Sequence, residues 1–307
     1  MPAKNKLTVK SDFSQLAIRE IDFVTRFTKN WNALRDIMGI MRPIRKQAGT
    51  KLTSYSATMK DSALQGGTSV GEGEEIPYTE FQVTPVTYQD IQIAKYAKAV
   101  SIEAVDKYGA EVAIERTDEA FLAELQNKVM TDFYTFLNTG SLVPTTAPAT
   151  FQQALAQARG LVLDKFQKMR RTVTDVVGFA NILDFYDYLG TADITTQTAF
   201  GMTYIQNFMG YSTIFLASDP DIARNTVIAV PVENIDLYYI DPADSDFAKL
   251  GLEYRVEGET NLIGFHANGD YSHAVGESFA IMGLKLWAEY LDGIANVEFG
   301  EGGETGA

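Results

Sequence analysis

Val70-Gly71-Glu72-Gly73-Glu74-Glu75-Ile76-Pro77 is a glycine-rich, acidic tip set between two extended arms, Lys51 to Met59 and Phe81 to Val100. The second arm runs directly through Val100-Ser101-Ile102-Glu103 into a helical run that closes at Gly140. The first arm is polar on both faces. In the second, Phe81 and Val83, then Val86 and Tyr88, then Ile91 and Ile93 alternate, with the phase slipping near Pro85 and Gln89-Asp90, where bulges or bends are expected. At about 3.3 Å per residue such a run covers roughly 65 Å, more than a strand inside a compact domain needs. A two-stranded ribbon without an apolar face does not hold itself together in water. It must lie on something, and a second copy of the chain is the simplest support.

The helical run has Ser101 as N-cap and Glu103 in its first turn, where an acid suits the positive end of the helix. Gly109 is a predicted break. Beyond it Ile114, Phe121, Leu125, Val129, Phe133 and Phe136 form one apolar stripe. Glu111, Glu115, Arg116, Glu119, Glu124 and Lys128 occupy the other face, with Glu124 and Lys128 spaced as an i,i+4 pair. Asn138-Thr139-Gly140 supplies the stop.

In this order of elements the chain resembles the major capsid proteins of tailed bacteriophages, the Hong Kong 97 type fold. The residues that carry the likeness are the Val70–Pro77 tip, the β run with Lys95 and Lys98, and the passage through Val100-Ser101-Ile102-Glu103 into a long helix. The resemblance implies an α+β chain. Residues 1–39 would be an N-terminal arm, and 40–100 the extended β-hairpin loop and peripheral strands. Residues 101–141 would be the peripheral domain's spine helix, 150–277 an axial α/β domain, 278–299 a C-terminal return to the peripheral domain, and 300–307 a tail. It also implies self-assembly into hexamers and pentamers of an icosahedral shell around double-stranded DNA held without sequence-specific contacts. Scaffolding and portal proteins, and decoration proteins in some shells, would be partners. The site would be the virion, assembled in the host cytoplasm, with no enzymatic activity, cofactor, metal or membrane. Some members weld subunits through a loop lysine and a neighbour's asparagine. Lys60 lies in the right region, but nothing in the local sequence demands that bond.

Composition fits this. The chain has 307 residues, 46% hydrophobic and 21% charged, enough for one or two sizeable cores. Zero cysteines removes disulfides and thiolate chemistry. No apolar run reaches the length of a membrane span, and Met1-Pro2-Ala3-Lys4-Asn5-Lys6 lacks the apolar core of a secretory signal. A formal charge of −14 argues against a dedicated nucleic-acid binder. It suits a container, because an acidic inner wall encloses DNA without gripping it. Lacking a long charged helical extension at its N-terminus, such a subunit is expected to use a separate scaffolding protein. The tip residues Gly71, Glu72, Gly73, Glu74, Glu75, Ile76 and Pro77 are the expected contact with a neighbour. The basic cluster Arg42, Arg45 and Lys46, with Lys51 beyond it, is the expected seat for the tip's acids.

Further along, residues 141–149 with Pro144 and Pro148 mark a boundary. Thr150-Phe151-Gln152-Gln153 fits a capping box, opening a helix with Phe151, Leu155, Ala158, Val162 and Phe166 on one face. Val173–Val177 reads as a strand, Asn181–Leu189 as a short helix, and Thr191–Gly210 as a surface loop with some helix. Thr213–Ala217, Thr226–Val230 and Leu237–Ile240 read as buried strands. Leu252–Val256 and Leu262–Phe265 suit a hairpin, and between Met282 and Leu291 helix and strand stay open.

Two other readings compete. An encapsulin-like compartment shell would share the fold and enclose protein cargo. From a different class, Gly67-Thr68-Ser69-Val70-Gly71 matches the G-x-S-x-G nucleophile elbow, with Ser69 as nucleophile and Asp246 and His266 following in hydrolase order. An elbow needs a buried strand before the serine and a helix after it. Here Gln65-Gly66 precedes and Gly71-Glu72-Gly73 follows.

Overall fold

The computed structural model describes residues 19, 22–27, 41–47, 49–50, 52–60, 65, 70–87, 90–190, 196–199, 202–232, 234–256 and 261–300. Most of the expected N-terminal arm and tail, together with Lys51 and Ser69, lies outside them.

The long helical run forms with the break where glycine predicts it. Helix α1 covers residues 22–27. Helix α2, Ile102–Tyr108, is capped by Ser101, whose hydroxyl accepts from the Ala104 N–H, and ends at Gly109 with φ +83°. The next turn, Glu111–Arg116, is wound as a π-helix, and helix α3, Thr117–Leu137, continues from it. The inward face of α3 carries Leu122, Leu125, Val129, Phe133, Tyr134 and Leu137, all buried. The expected Glu124–Lys128 pair does not form. Lys128 pairs instead with Asp132, one turn further on.

The extended arm is not one 65 Å run. Strands β1 (Met41–Lys46), β2 (Thr53–Met59), β3 (Phe81–Thr87) and β4 (Ala94–Ser101) serve three different pairings. β2 and β3 pair antiparallel with each other, Thr53 opposite Thr87 and Met59 opposite Phe81, and make a sheet of their own. Pro85 sits inside β3 opposite Tyr55, so it causes no break. β3 ends at Thr87, and Gln89 of the expected slip lies outside the described residues.

Helix α4 covers Phe151–Lys168, strand β5 Val176–Asn181 and helix α5 Ile182–Leu189. The capping box holds: Thr150 Oγ1 accepts from the Gln153 N–H at 3.3 Å, and Gln153 Oε1 accepts from the Ala149 N–H at 3.0 Å. The segment expected as loop and helix contains strands β6, Gln197–Ala199, and β7, Met202–Phe208. Its weak periodicity is overridden by pairing with β8, Tyr211–Ala217. Strands β9 (Thr226–Pro231) and β10 (Ile235–Ile240) follow, then a short helix α6 (Ser245–Ala248) and strands β11 (Gly264–Asp270), β12 (Val275–Ala288) and β13 (Ala295–Glu298). The open question between residues 282 and 291 resolves as strand to Ala288. The expected hairpin between 252–256 and 262–265 reduces to one bridge, Arg255 to Phe265, and β11 pairs with β12 instead.

A six-stranded sheet runs β13-β9-β5-β8-β7-β6, and a five-stranded one runs β1-β10-β12-β11 with β4 also on β12. The six-stranded sheet is apolar on both faces, which is why its strands read as continuous hydrophobic runs. Val177, Phe179, Phe215, Ile228 and Val230 share a core with α3, whose Phe133 packs edge-on to Phe179, while Val176, Ala180, Ile214, Leu216, Val227 and Ala229 share one with α4 and α5. The pairing cuts across a division at residue 277. β10 and β11 join β4 in the five-stranded sheet, and β13 closes the edge of the six-stranded one.

Gly264 shows how tightly these layers meet. A Cβ there would lie 2.5 Å from Pro242 Cβ and 2.9 Å from Tyr254 Cβ. Gly264→Ala is therefore expected to lower stability by about 1–3 kcal/mol through overpacking, read from the denaturant midpoint.

Candidate self-association surface

The β2–β3 ribbon is rooted and then left alone. Leu52 and Ile91 are buried against Ile240, with Ile93, Tyr238 and Phe247 packed around them. Past this root the ribbon's strands pair only with one another. At its far end the Lys60 N–H donates to the Glu80 carbonyl at 2.9 Å, and Lys60 Nζ meets Glu80 Oε2 at 2.6 Å. Phe81 and Val83 are each 57% exposed and Tyr78 is 87% exposed. An isolated two-stranded sheet is marginal in water, and this one spends apolar side chains on solvent.

The tip is a turn held by one of its own acids. Glu74 Oε2 accepts from the Gly71 N–H at 2.9 Å, and the Glu74 N–H donates to the Gly71 carbonyl at 3.2 Å. Gly73 takes φ +82°, a conformation that glycine adopts without strain. Of the three acids, Glu74 is thus turned back onto the loop, while Glu72, Glu75, Ile76 and Pro77 are exposed.

The basic cluster lies on β1, where neighbouring side chains alternate between faces. Arg42 Nε meets Asp236 Oδ1 at 2.9 Å, and the Lys46 ammonium sits 4.8 Å from the Tyr238 ring centroid. Arg45 Nη2 reaches Asp241 Oδ2 at 2.9 Å. By strand parity Arg42 and Lys46 share a face and Arg45 takes the other, so cations contiguous in sequence do not form one patch. Asp241 is buried and fully engaged, accepting also from the Ala243 N–H and from Asn261 Nδ2, both at 2.9 Å.

Asp118 is the residue that the sequence reading missed. It is 5% exposed and lies on the apolar side of α3, four residues before Leu122 and seven before Leu125. Arg19 forks onto it through Nε and Nη2, the latter at 2.6 Å from Oδ1, and the same Nη2 donates to Ser278 Oγ at 2.7 Å. Lys98 Nζ lies 2.6 Å from Asp118 Oδ1 and donates to Thr117 Oγ1 at 2.6 Å. Burial alone would raise the Asp118 carboxyl, but the hydrogen bonds and charges of Arg19 and Lys98 overcome it and hold it below the usual aspartate range. This knot ties Arg19, β4, β12 and α3 together where the π-wound turn ends. An acid standing four residues after Ile114 and four before Leu122, in an apolar stripe, was the available signal.

The hydrolase constellation gains no support from its described members. Asp246 is exposed and engages Lys249 at 2.6 Å. His266 stands in β11 with its ring edge-on to Tyr254, centroids 6.4 Å apart. A cleft of about 470 Å³ lies between the five-stranded sheet and α3, lined mainly by apolar side chains such as Tyr96, Phe136, Leu237 and Leu284. Among the described residues no group of three or more acids, histidines or cysteines is placed to hold a metal ion, and no helix is long and apolar enough to cross a membrane.

No protein-family model matches the chain, and no curated protein matches it in sequence. Solved structures match it in fold. A chain of Mycobacterium phage Patience superimposes with a TM-score of 0.55 at 10% identity, covering 92% of this chain and 87% of its own. A chain from the asymmetric unit of the mature capsid of bacteriophage PhiM1 gives 0.54 at 7% identity, covering 85% and 86%. One from the holo-SrpI encapsulin complex of Synechococcus elongatus PCC 7942 gives 0.51 at 13% identity, covering 86% of each chain. The α+β fold of this chain is the one found in these structures.

Proposed function

We propose that the chain is the major capsid protein of a tailed bacteriophage, self-assembling into an icosahedral shell around double-stranded DNA. One observation carries the reading: on a fold shared with phage capsid chains, the β2–β3 ribbon leaves its own body and exposes Phe81, Val83, Ile76 and Tyr78. In this reading the fold is of the Hong Kong 97 type. The ribbon is the extended loop, α3 is the spine of the peripheral domain with the five-stranded sheet, and the six-stranded sheet with α4 and α5 is the axial domain. The work is binding, not catalysis. Each ribbon adds its surface to an adjoining subunit, and many weak junctions sum to a stable shell of hexamers and pentamers. Scaffolding, portal and decoration proteins are the further partners. The formal charge of −14 keeps the packaged DNA from adhering. The subunit is thereby assigned to the virion, after assembly in the host cytoplasm.

The seat proposed for the tip's acids is the face of β1 that bears Arg42 and Lys46. The Arg42 guanidinium is half exposed although paired, so an incoming carboxylate gains a cation already held in place. Glu72→Lys with Glu75→Lys is expected to leave a folded subunit that no longer assembles. Unchanged particle yield in sedimentation would count against this contact.

An encapsulin-like compartment is the second reading, favoured by the SrpI match standing almost level with the phage matches. Nuclease treatment and mass spectrometry of purified particles separate the two. Nuclease-protected DNA supports the capsid, and a stoichiometric protein cargo supports the compartment.

A further inference from the structure

Gly160 stands in the middle of α4 and faces open space, with nothing within 4 Å of where a Cβ would be. Glycine is among the poorest helix formers, and nothing among the described residues requires it there. It borders a groove of about 380 Å³ between α4 and the preceding loop, lined by Pro144, Thr146, Gln157, Leu161 and Asp164. The groove lies on the flank of α4 toward the edge strand β13, because residues 142–144 lead away from the Leu142–Ala295 bridge. On the opposite flank α5 packs over β5 and β8 and presents Leu183 and Tyr186, 56% and 49% exposed. The body built on the six-stranded sheet thus has an apolar knob on one side and a hollow on the other.

We infer that the knob of one copy seats in the groove of the next, a head-to-tail contact of the kind that closes into rings. This rests on the self-assembly reading and names the surface by which the bodies meet around a hexamer or pentamer. The charges at the two rims are complementary. Asp164 and Lys168 flank the groove, paired at 2.6 Å, and Asp187 and Arg224 flank the knob, also paired at 2.6 Å. Both pairs are solvent-exposed, and such pairs contribute little to folding. Asp187 can turn to Lys168 across the junction at little cost to the subunit, while Arg224, whose Nε also holds the buried Asp184 at 2.7 Å, stays in place and offers its Nη2 to Asp164. Gly160 keeps the groove deep enough for the incoming Tyr186 ring.

Gly160→Leu separates the subunit from the assembly. Its side chain meets nothing in the monomer, so the melting temperature should equal or exceed that of the wild type, while particles are lost in sedimentation velocity. Lys168→Glu and Asp187→Lys should each lower particle yield about tenfold or more, since one lost contact is repeated at every junction of the ring. The double variant restores the pairing with signs reversed and should recover the yield. Wild-type particle yield from Gly160→Leu, or no recovery in the double variant, overturns the groove contact and leaves the shell reading standing. A wild-type chain that stays monomeric under all assembly conditions overturns both.

Discussion

Asp118→Ala is expected to cost about 3–5 kcal/mol of folding stability, the typical penalty for removing one member of a buried ion cluster and stranding the rest. Its carboxylate is the sole acid that Arg19 and Lys98 share in the knot. Without it a guanidinium and a largely buried ammonium face each other across a hole. Urea unfolding should show a lower midpoint at unchanged slope. Asp132→Ala, which breaks the exposed pair with Lys128, serves as the comparison. It should change stability by no more than about 1 kcal/mol. Equal effects from the two variants would show that the knot contributes no more than a surface pair. The pH dependence has a definite sign. Asp118 is held below its unfolded value of about 3.9. Its stabilisation is thus complete above that value and is lost as pH falls through the lower, folded one. Asp118→Asn should remove this part of the acid sensitivity. Burial pulls Lys98 below the usual lysine value even beside Asp118, so Arg19, with its forked geometry, is the stronger of the two anchors.

Phe81→Glu combined with Val83→Glu should abolish assembly while leaving the subunit folded. Both side chains are more than half exposed on a ribbon whose strands pair with nothing else among the described residues. Surface substitutions of this kind change stability by about 0.5 kcal/mol or less, so the melting temperature should hold. If the ribbon lies on an adjoining copy, the same two positions are covered there, and burying two carboxylates without partners costs several kcal/mol at every junction. Sedimentation should then show monomers where the wild type gives particles. Particles of normal size and yield would mean that the ribbon's apolar residues face solvent in the assembly too.

Local signals were legible wherever they decided the structure. Ser101, Gly109, Thr150 with Gln153, Asn181 and Gly190 set helix ends that the sequence alone identifies. The buried strands 211–217, 226–231 and 235–240 announced themselves as β-branched and aromatic runs. Long-range pairing was not legible. β7 became a strand because β8 lay beside it, and β12 could not be told from a helix until β4, β10 and β11 were seen to flank it. The Asp118 knot depends on Thr117 and Asp118 reaching Lys98 and on an arginine 99 residues upstream of Asp118, and no local pattern encodes that. The ribbon's isolation was readable, because its first arm is polar on both faces and gives the second nothing to pack against. The splitting of the basic cluster was readable too, once its six residues were taken as a strand.

β12 places a limit on how this chain can vary. Its first eight residues keep phase with β4 and its last six with β10, along one uninterrupted line of about 46 Å. A single residue added or removed near Met282-Gly283 would turn one half inside out relative to the other, since each step reverses the side on which a side chain emerges. Length changes are excluded there and fall instead to exposed turns such as 271–274. Peptide tags or foreign epitopes grafted onto this scaffold therefore belong at that turn.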